Sequence, residues 1–464
     1  MSNLGRLTYA DMKIQAVGII QMRQSTLFGF GFGCTSLIIN QFVRRYKRSR
    51  IRFCFTFGSA EIRQSASDER VTWRAKTMAT VEVVFFLICS LACAPAARAG
   101  TIQNFTQMAA SNGLECEQYE VTTDDGYVLT LFRLPGNSSR PVLLLSGAFG
   151  SADDYIARGN TSLPAVLARA GRDVWLGNVR GSRYGMRHRT LDPAGSAFWD
   201  FSFHEYSVSD LPAIVDFVLN NTEQQKLSHI GWSLGTTGVY VLGSERPEYA
   251  AKFRVSISLA PICYMHHSPA QVLAALTAPL VMPALALTGT DGVFVDGSLE
   301  RSLVLSACSS PATAYGVCMQ ALYPVYGYDA DEMEPEYAVK FFEHYPSSMS
   351  RKALTHLAQT IQQRRFQKYD YGLLGNLRKY GSLSPPEYAL GGNNISVVLV
   401  SGRNDLTSTL PDVALLRRRL GGVRRHIVLE PAKFNHIDFA HGINTHSVLF
   451  EPIILSLLEE YDDS

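Results

Sequence analysis

The sequence is poor in cysteine for a chain of 464 residues, with only eight. Four of them follow Ala99, namely Cys116, Cys263, Cys308 and Cys318. Two disulfide bonds would be a modest framework for a domain of this size, so the fold must depend on its buried core. Hydrophobic residues make up 46% of the chain, which is enough for one large core or two ordinary ones and predicts a globular protein.

The main part of the chain also lacks a basic excess. The net charge is +9 over residues 1–77 and −7 over residues 100–464. Binding to nucleic acid requires a basic face that neutralises phosphates, so the acidic part argues against such a partner. No cluster of His, Cys and Asp has the spacing of a metal site. The glycine-rich segment 29–33 follows no predicted strand, which argues against a nucleotide-binding loop. The sequence therefore predicts neither a metal nor a cofactor.

Long uninterrupted apolar runs are scarce as well. The run over residues 83–94 is shorter than the roughly 20 residues that span a bilayer, and it ends in small residues and Ala97-Arg98-Ala99. This pattern predicts a signal peptide over residues 78–99. Because 77 residues precede Met78, we expect translation to start at Met78. The alternative is that residues 1–77 are a genuine basic extension or anchor.

Secretory transit agrees with the sequence after residue 99. Five Asn-x-Ser/Thr sequons occur there, at Asn104, Asn137, Asn160, Asn220 and Asn394. Each single match also occurs by chance, and only the set of five supports glycosylation. No anchor or retention signal follows the final predicted helix, so the sequence leaves a secreted and a lysosomal location open.

Hydrophobic patterns from residue 119 onward predict an α/β fold. An alternating segment around Asp125-Gly126 indicates a hairpin. The run PVLLLSG then indicates a strand buried on both faces. Further strands are predicted at 173–176, 229–231, 255–259, 395–401 and 426–430. Helical stretches separate them, including one that we expect to open at Asp210 with Pro212 in its first turn.

Between residues 261 and 380 the β pattern gives way to helical and loop-like sequence, which predicts an insertion into the βαβ core. Its segment 270–289 is nearly uncharged and resembles a membrane span. Pro279 and Pro283 would kink a spanning helix, and parts of one soluble core flank the segment. We therefore predict an apolar cap over a site, and no integral membrane span in the mature domain.

A candidate nucleophile lies in GWSLG, where Ser233 stands between Gly231 and Gly235. A predicted strand precedes this segment and a predicted helix follows it, which is the context of a nucleophile elbow. There the glycines leave room for a tight turn and the serine hydroxyl is lifted to the sheet's carboxyl edge. The simpler interpretation is a strand-to-helix turn in which the serine is incidental.

A serine hydroxyl needs an imidazole to accept its proton and a carboxylate to hold that imidazole. In this fold the partners follow in the order Ser, Asp, His, each after a later strand. Asp405 and His436 meet both requirements. Asp405 could instead cap a turn or helix. His441 and His446 are rivals of His436 that lie further from the strand end. Asp438 is an alternative carboxylate, but it follows His436 by only two residues, which is the wrong chain order.

Backbone N–H groups must also stabilise the oxyanion that forms during acyl transfer. Leu234, directly after the nucleophile, supplies one in this type of turn. The segment Ser146-Gly147-Ala148-Phe149 follows an apolar strand, and Ala148 is the natural second donor. An ordinary strand-ending turn is the alternative for this segment.

From about residue 101 to 460 the chain resembles the acid lipase family, which comprises gastric and lysosomal lipases and their insect relatives. The resemblance is carried by VTTDDGYVLTLFRLP, AGRDVWLGNVRGSRYG, FWDFSFHEYSVSDLPAIVDFVL, GWSLGTTG, SLAPICYMHHSP, GRNDL and FNHIDF, in family order. It implies an α/β-hydrolase fold with a mostly parallel sheet, flanking helices and a largely helical cap with a lid over residues 261–380. It also implies a triad of Ser233, Asp405 and His436, with the Ala148 and Leu234 amides as the oxyanion hole.

The resemblance further implies a disulfide between Cys308 and Cys318 in the cap, and a secreted or lysosomal serine lipase that hydrolyses acylglycerols or sterol esters at a lipid–water interface. The chain departs from the family at two places. It has Ser146-Gly147-Ala148 where relatives usually have His-Gly-Leu, and it has Trp232 and Leu234 where they have His and Gln. These departures leave open a catalytically weak or silent relative that binds lipid or a partner, and a hydrolase of short esters or thioesters.

Overall fold

A computed structural model describes residues 102–269 and 291–462 of the chain. Within them, a large mixed sheet forms the centre of the fold, and one short two-stranded sheet lies apart from it. The strands are β1 (Glu117–Thr122), β2 (Tyr127–Leu134), β3 (Asn137–Leu145), β4 (Arg172–Gly177), β5 (Arg187–His188), β6 (Leu227–Trp232), β7 (Phe253–Leu259), β8 (Gly292–Val293), β9 (Met349–Ser350), β10 (Val397–Ser401) and β11 (Val423–Val428).

The central sheet has the order β1-β2-β4-β3-β6-β7-β10-β11, and β5 pairs with β2. All neighbours from β4 to β11 are parallel. The hairpin of β1 and β2 joins this parallel part in antiparallel orientation. The predicted hairpin and the predicted mostly parallel sheet are thus both confirmed, and the carboxyl ends of β3, β6, β7, β10 and β11 meet at one edge.

The apolar strands form two cores, one on each face of the sheet. In β3, Leu143 and Leu145 pack into one core whereas Val142 and Leu144 pack into the other. This alternation follows from the two-residue period of a strand. It explains why the second half of β3 and most of β10 are continuous apolar runs rather than an alternating pattern, since helices cover both faces.

The α-helices are α1 (Phe105–Ser111), α2 (Ala152–Ile156), α3 (Leu163–Arg169), α4 (Phe203–Glu205), α5 (Leu211–Thr222), α6 (Leu234–Glu245), α7 (Leu299–Ala307), α8 (Pro311–Thr313), α9 (Gln320–Tyr326), α10 (Pro335–His344), α11 (Arg351–Gln363), α12 (Leu373–Tyr380), α13 (Leu410–Arg419), α14 (Asp438–His441) and α15 (Leu455–Asp462). Side chains of α5 and α6 pack on one face of the sheet. Side chains of α1, α3 and α15 pack on the other.

The described part of the insertion between β7 and β10 is largely helical, as predicted, and contains α7 to α12. It also contains the short antiparallel pair of β8 and β9, which the sequence pattern did not indicate. Aromatic and apolar side chains of α9 and α10 form a separate core that reaches Ile437 in the loop after β11. The insertion is therefore packed against a loop that carries a candidate catalytic residue.

Helix α5 begins at Leu211, directly after Asp210, with Pro212 in its first turn as predicted, but the Asp210 side chain does not cap it. The helical segment starts earlier, at Phe203 with Ser202 as its N-cap, and passes through a π turn (Tyr206–Asp210) before α5. Asp210 is fully buried, and its carboxylate accepts hydrogen bonds from the main-chain N–H of Arg180 at 2.9 Å and from the Arg180 guanidinium at 2.7 Å. A buried ion pair uses this carboxylate, so it is not available as a cap.

Three predicted features lie outside the described residues. They are the basic segment 1–77, the signal peptide 78–99 and the uncharged segment 270–289, and all three remain predictions. Within residues 102–269 and 291–462, no helix is both long and apolar enough to cross a membrane.

Candidate active site

Ser233 occupies a tight turn between β6 and α6. Its backbone angles are φ 55° and ψ −123°, a conformation that costs free energy in any residue with a side chain. The two flanking glycines make the turn possible. A Cβ on Gly235 would lie 2.2 Å from the main-chain oxygen of Leu145, and a Cβ on Gly231 would lie 2.7 Å from the carbonyl of Gly235. The turn therefore has the strand, strained serine and close packing of a nucleophile elbow.

The structure brings Ser233, His436 and Asp405 into one hydrogen-bonded chain. The Ser233 Oγ lies 2.8 Å from Nε2 of His436. On the other side of the ring, Nδ1 of His436 lies 2.8 Å from Oδ2 of Asp405. All three side chains are buried. This order of hydroxyl, imidazole and carboxylate is the arrangement that activates a serine for attack.

Asp405 is fixed by its own loop after β10. Its Oδ1 accepts hydrogen bonds from the main-chain N–H groups of Thr407 at 2.9 Å and Ser408 at 2.6 Å. Oδ1 of Asp405 therefore holds the turn while Oδ2 faces His436. The two donors orient the carboxylate toward the imidazole.

His436 is held by contacts that sequence patterns did not indicate. Its main-chain N–H donates to the carbonyl of Tyr326 at 3.1 Å, and its own carbonyl accepts from the indole N–H of Trp232 at 3.0 Å. The Tyr326 ring lies nearly parallel to the imidazole, with 5.4 Å between ring centroids. Since Tyr326 ends α9, the insertion contributes directly to the position of the imidazole.

The rivals of His436 and Asp405 have other partners. Nδ1 of His441 lies 2.9 Å from the hydroxyl of Tyr337, and burial lowers the pKa of His441 to about 3. Nδ1 of His446 lies 3.1 Å from the main-chain oxygen of Ile443. Asp438 accepts a hydrogen bond at 2.7 Å from the main-chain N–H next to His436, that of residue 435, and thereby braces the loop.

Two main-chain N–H groups border the nucleophile. Leu234 is the first residue of α6, so its N–H has no partner within the helix. The loop after β3 passes close to Ser233, because a Cβ on Gly147 would lie 2.8 Å from the Ser233 Cβ and 3.3 Å from its Oγ. Ala148 follows in this loop, and its N–H has no hydrogen-bond acceptor among the described residues. The geometry is suited to two oxyanion donors.

A cleft adjoins these two donors. It encloses about 610 Å³ of empty space, part of which is open to solvent. The loop Leu145 to Gly150 and the start of α6 form one side, and Phe203, Tyr206, Leu211 and Met349 line the other. Most of these groups are apolar or small, as in pockets that bind apolar ligands.

Comparisons with known proteins agree with this geometry. Residues 105–159 match a family model described as a partial alpha/beta-hydrolase lipase region, and residues 140–276 match the model of the alpha/beta hydrolase fold. Lipase 1 of Drosophila melanogaster is 33% identical over 353 residues, which cover 75% of this chain and 78% of the relative. Gastric triacylglycerol lipase of Homo sapiens is 30% identical over 367 residues, which cover 77% of this chain and 91% of the relative.

The chain belongs to the acid lipase family. Lipase member N of Mus musculus is similar to it at 31% identity, with 77% of this chain and 91% of the relative covered. A crystal structure from Sulfolobus solfataricus shares the fold, with a TM-score of 0.50 at 15% identity over 74% of this chain and 94% of the other. Membership of this family supports the class of carboxylic ester hydrolases, of the lipase or esterase type.

The acid lipase chain has one disulfide in its described part, between Cys308 and Cys318, as the resemblance implied. Cys116 and Cys263 are free thiols there. Among residues 102–269 and 291–462, no group of three His, Cys, Asp or Glu side chains could hold a metal ion. The asparagines of the five sequons are all exposed, which leaves them accessible to modification.

Proposed function

We propose that this protein is a serine lipase that hydrolyses neutral lipid esters, acylglycerols or sterol esters, through an acyl-enzyme. The observation that carries the proposal is the continuous pair of 2.8 Å hydrogen bonds from Ser233 through His436 to Asp405. The Ser233 hydroxyl thus has a base within hydrogen-bond distance and a carboxylate behind that base, which is the geometry of nucleophilic acyl transfer.

In the first half of the reaction, His436 accepts the Ser233 proton while Oγ attacks the ester carbonyl carbon. The carbonyl oxygen becomes an oxyanion and is stabilised by the N–H groups of Ala148 and Leu234. Asp405 stabilises the imidazolium and keeps the ring in its tautomer. The intermediate then collapses, the bond to the alcohol breaks, and His436 gives its proton to the departing alkoxide oxygen.

In the second half, a water molecule takes the place of the alcohol. His436 accepts a proton from this water, and the hydroxide attacks the acyl carbon bound to Ser233 Oγ. The same two N–H groups stabilise the second oxyanion. Breakdown of this intermediate releases the carboxylic acid and returns the proton to Ser233, so the enzyme is regenerated.

A lipid substrate is supported by the cleft beside the donors. An acyl chain bonded to Ser233 Oγ needs an apolar path that begins next to Ala148 and Leu234, and both residues line the cleft. Phe203, Leu211 and Met349 extend its apolar wall. The names of the relatives, which include a gastric triacylglycerol lipase, support the same substrate class. The family, the disulfide and the exposed sequons support a secreted or lysosomal location.

A fluorophosphonate probe and two substrates test this proposal. We expect the probe to label the wild-type protein and not the Ser233→Ala variant, and we expect wild type to hydrolyse emulsified triolein and cholesteryl oleate. Both proteins should have the same melting temperature, which excludes misfolding as the cause of lost labelling. A folded wild type that is neither labelled nor active would contradict the proposal and indicate a lipid- or partner-binding relative.

A preference for soluble p-nitrophenyl butyrate over every emulsion would contradict the substrate class but not the chemistry. Hydrolysis of soluble esters alone would then assign the protein to the short-ester hydrolases.

A further inference from the structure

Helix α12 is unusual in the insertion, because the one side chain that it buries is the polar Asn376, whereas three of its leucines are exposed to solvent. Asn376 is 1% exposed, whereas Leu373, Leu374 and Leu377 are 68%, 70% and 49% exposed. Leu377 lies beside both Leu373 and Leu374, since residues three and four apart are neighbours on the surface of a helix. A helix that packs on a protein core normally has the opposite orientation.

Specific hydrogen bonds maintain this orientation. The Asn376 amide nitrogen donates to Oδ1 of Asp370 at 2.7 Å and to the carbonyl of Leu383 at 3.1 Å, and its amide oxygen accepts from the N–H of Tyr371 at 2.9 Å. Asp370 is in turn bonded to Gln359 and to residue 363, both on α11. The leucines are therefore presented to solvent by a buried polar anchor rather than by a loose segment.

The exposed leucines of α12 continue into the following loop. Leu383 is 56% exposed and Tyr371 is 36% exposed, so five large apolar side chains lie within 13 residues of chain. We call this set, Tyr371, Leu373, Leu374, Leu377 and Leu383, the leucine face. Apolar side chains scattered singly on a surface need no explanation, whereas a cluster on one helix indicates a surface that contacts an apolar partner.

Two cations lie on α12 outside the leucine face. Arg378 and Lys379 occupy the last turn of α12, both are exposed, and neither forms an ion pair with any described residue. Residues 100–464 as a whole carry a net charge of −7, so these two cations oppose the sign of the domain. Leucines on one side and Lys or Arg beside them are the features of helices that lie in the surface of a lipid layer with anionic groups.

We propose that the leucine face docks the enzyme on a lipid surface that carries anionic headgroups, with α12 lying in the plane of that surface. The inference rests on the proposed function, because a lipase must reach esters that water does not dissolve. The insertion would then both position the catalytic imidazole, through Tyr326, and bind the substrate phase, through α12. A second copy of the chain is a less suitable partner, since a twofold contact would bring Arg378 and Lys379 close to their own equivalents.

Vesicle binding tests the docking surface independently of catalysis. The variant Leu373→Gln/Leu374→Gln/Leu377→Gln should bind vesicles of phosphatidylcholine with phosphatidylglycerol about tenfold or more weakly than wild type. The matched control is Leu299→Gln on α7, where the leucine is 69% exposed but isolated from α12 in sequence; its binding should equal that of wild type. Substitutions at exposed positions should leave the melting temperature unchanged, which confirms that each variant folds.

The cations are tested with Arg378→Gln/Lys379→Gln. This variant should bind anionic vesicles more weakly than wild type and should bind pure phosphatidylcholine vesicles as wild type does. Hydrolysis of soluble p-nitrophenyl butyrate should be unchanged in the leucine and cation variants, whereas hydrolysis of triolein emulsified with phosphatidylglycerol should fall in both.

Three results would overturn or separate the two proposals. Vesicle binding by the triple leucine variant equal to that of wild type would overturn the docking surface. A wild type that is dimeric in sedimentation, with a monomeric triple variant and unchanged vesicle binding, would assign the leucine face to self-association instead. A wild type that hydrolyses no ester but binds vesicles through the leucines would refute the proposed function while retaining the docking surface.

Discussion

Trp232 and His436 are joined by a hydrogen bond across 204 residues of sequence, in which the indole N–H donates to the His436 carbonyl at 3.0 Å. Both residues are buried. The residue directly before the proposed nucleophile thus holds the backbone of the proposed general base. Relatives usually have a histidine where this chain has Trp232. The hydrogen bond indicates that Trp232 positions His436 and does not simply fill space.

Trp232→Phe keeps the aromatic ring and removes this hydrogen bond. The carbonyl of His436 would remain buried without its donor, a loss of about 1–3 kcal/mol. We expect kcat to fall about tenfold with little change in KM, because imidazole placement matters for the chemical step. Trp199→Phe is the matched control, since the indole of Trp199 donates to a carbonyl, that of Pro193, away from the triad. Equal kcat losses in both variants would refute a positioning role.

Gly147→Ala tests the close approach of the oxyanion loop to the nucleophile. The added methyl group would lie 2.8 Å from the Ser233 Cβ, so either the loop or the serine must move. Displacement of one oxyanion donor lowers turnover about 10²-fold or more, and we expect that loss with a folded protein. Gly316→Ala serves as control because a Cβ there meets nothing within 4 Å. Nearly normal turnover of Gly147→Ala on soluble esters would contradict the placement of the oxyanion hole.

Asp405→Asn should abolish most of the activity while leaving the fold intact. The amide can still accept from Thr407 and Ser408 through its oxygen, but its nitrogen no longer favours the required tautomer of His436. A comparable change in a serine triad lowers kcat about 10⁴-fold, and we expect about 10³ to 10⁴. The control is Asp412→Asn, because Asp412 also pairs with a histidine, at 2.8 Å from Nδ1 of His267. Asp412→Asn should lower stability and preserve kcat.

His229 gives the protein a component of acid sensitivity that is separate from catalysis. It is fully buried in β6, and burial lowers its pKa from 6.5 to about 3. Because the folded-state pKa lies below the unfolded value, this contribution to stability is complete above pH 6.5. It is lost as the pH falls toward 3, at about 1.4 kcal/mol per pH unit.

Unfolding by urea between about pH 6 and pH 4 measures this contribution. Nδ1 of His229 contacts the hydroxyl of Ser256 at 2.9 Å. The suitable variant is His229→Asn, because it places an amide at the position of Nδ1. The free energy of unfolding should fall less steeply with decreasing pH in the variant than in wild type. Parallel curves for the two proteins would show that His229 does not remain neutral in the folded state.

The sequence by itself determined the order of elements and the site's chemistry. Continuous apolar runs predict strands that are buried on both faces, and residues 141–145 of β3 and all of β10 have this burial. Glycines on either side of Ser233 predict the elbow, because no other residue fits so close to neighbouring backbone. The positions of Asp405 and His436 after later strands follow from the parallel sheet, since carboxyl ends of parallel strands meet at one edge.

Only the tertiary structure decided which distant groups hold these residues in place. Tyr326, Trp232 and the ion pair of Arg180 with Asp210 act through contacts that no local periodicity encodes. The same is true of α12, where a hydrophobic pattern predicts a helix but not which side faces solvent. A period of 3.6 residues reports that a helix has two faces, whereas the buried anchor at Asn376 decides that the leucines point outward.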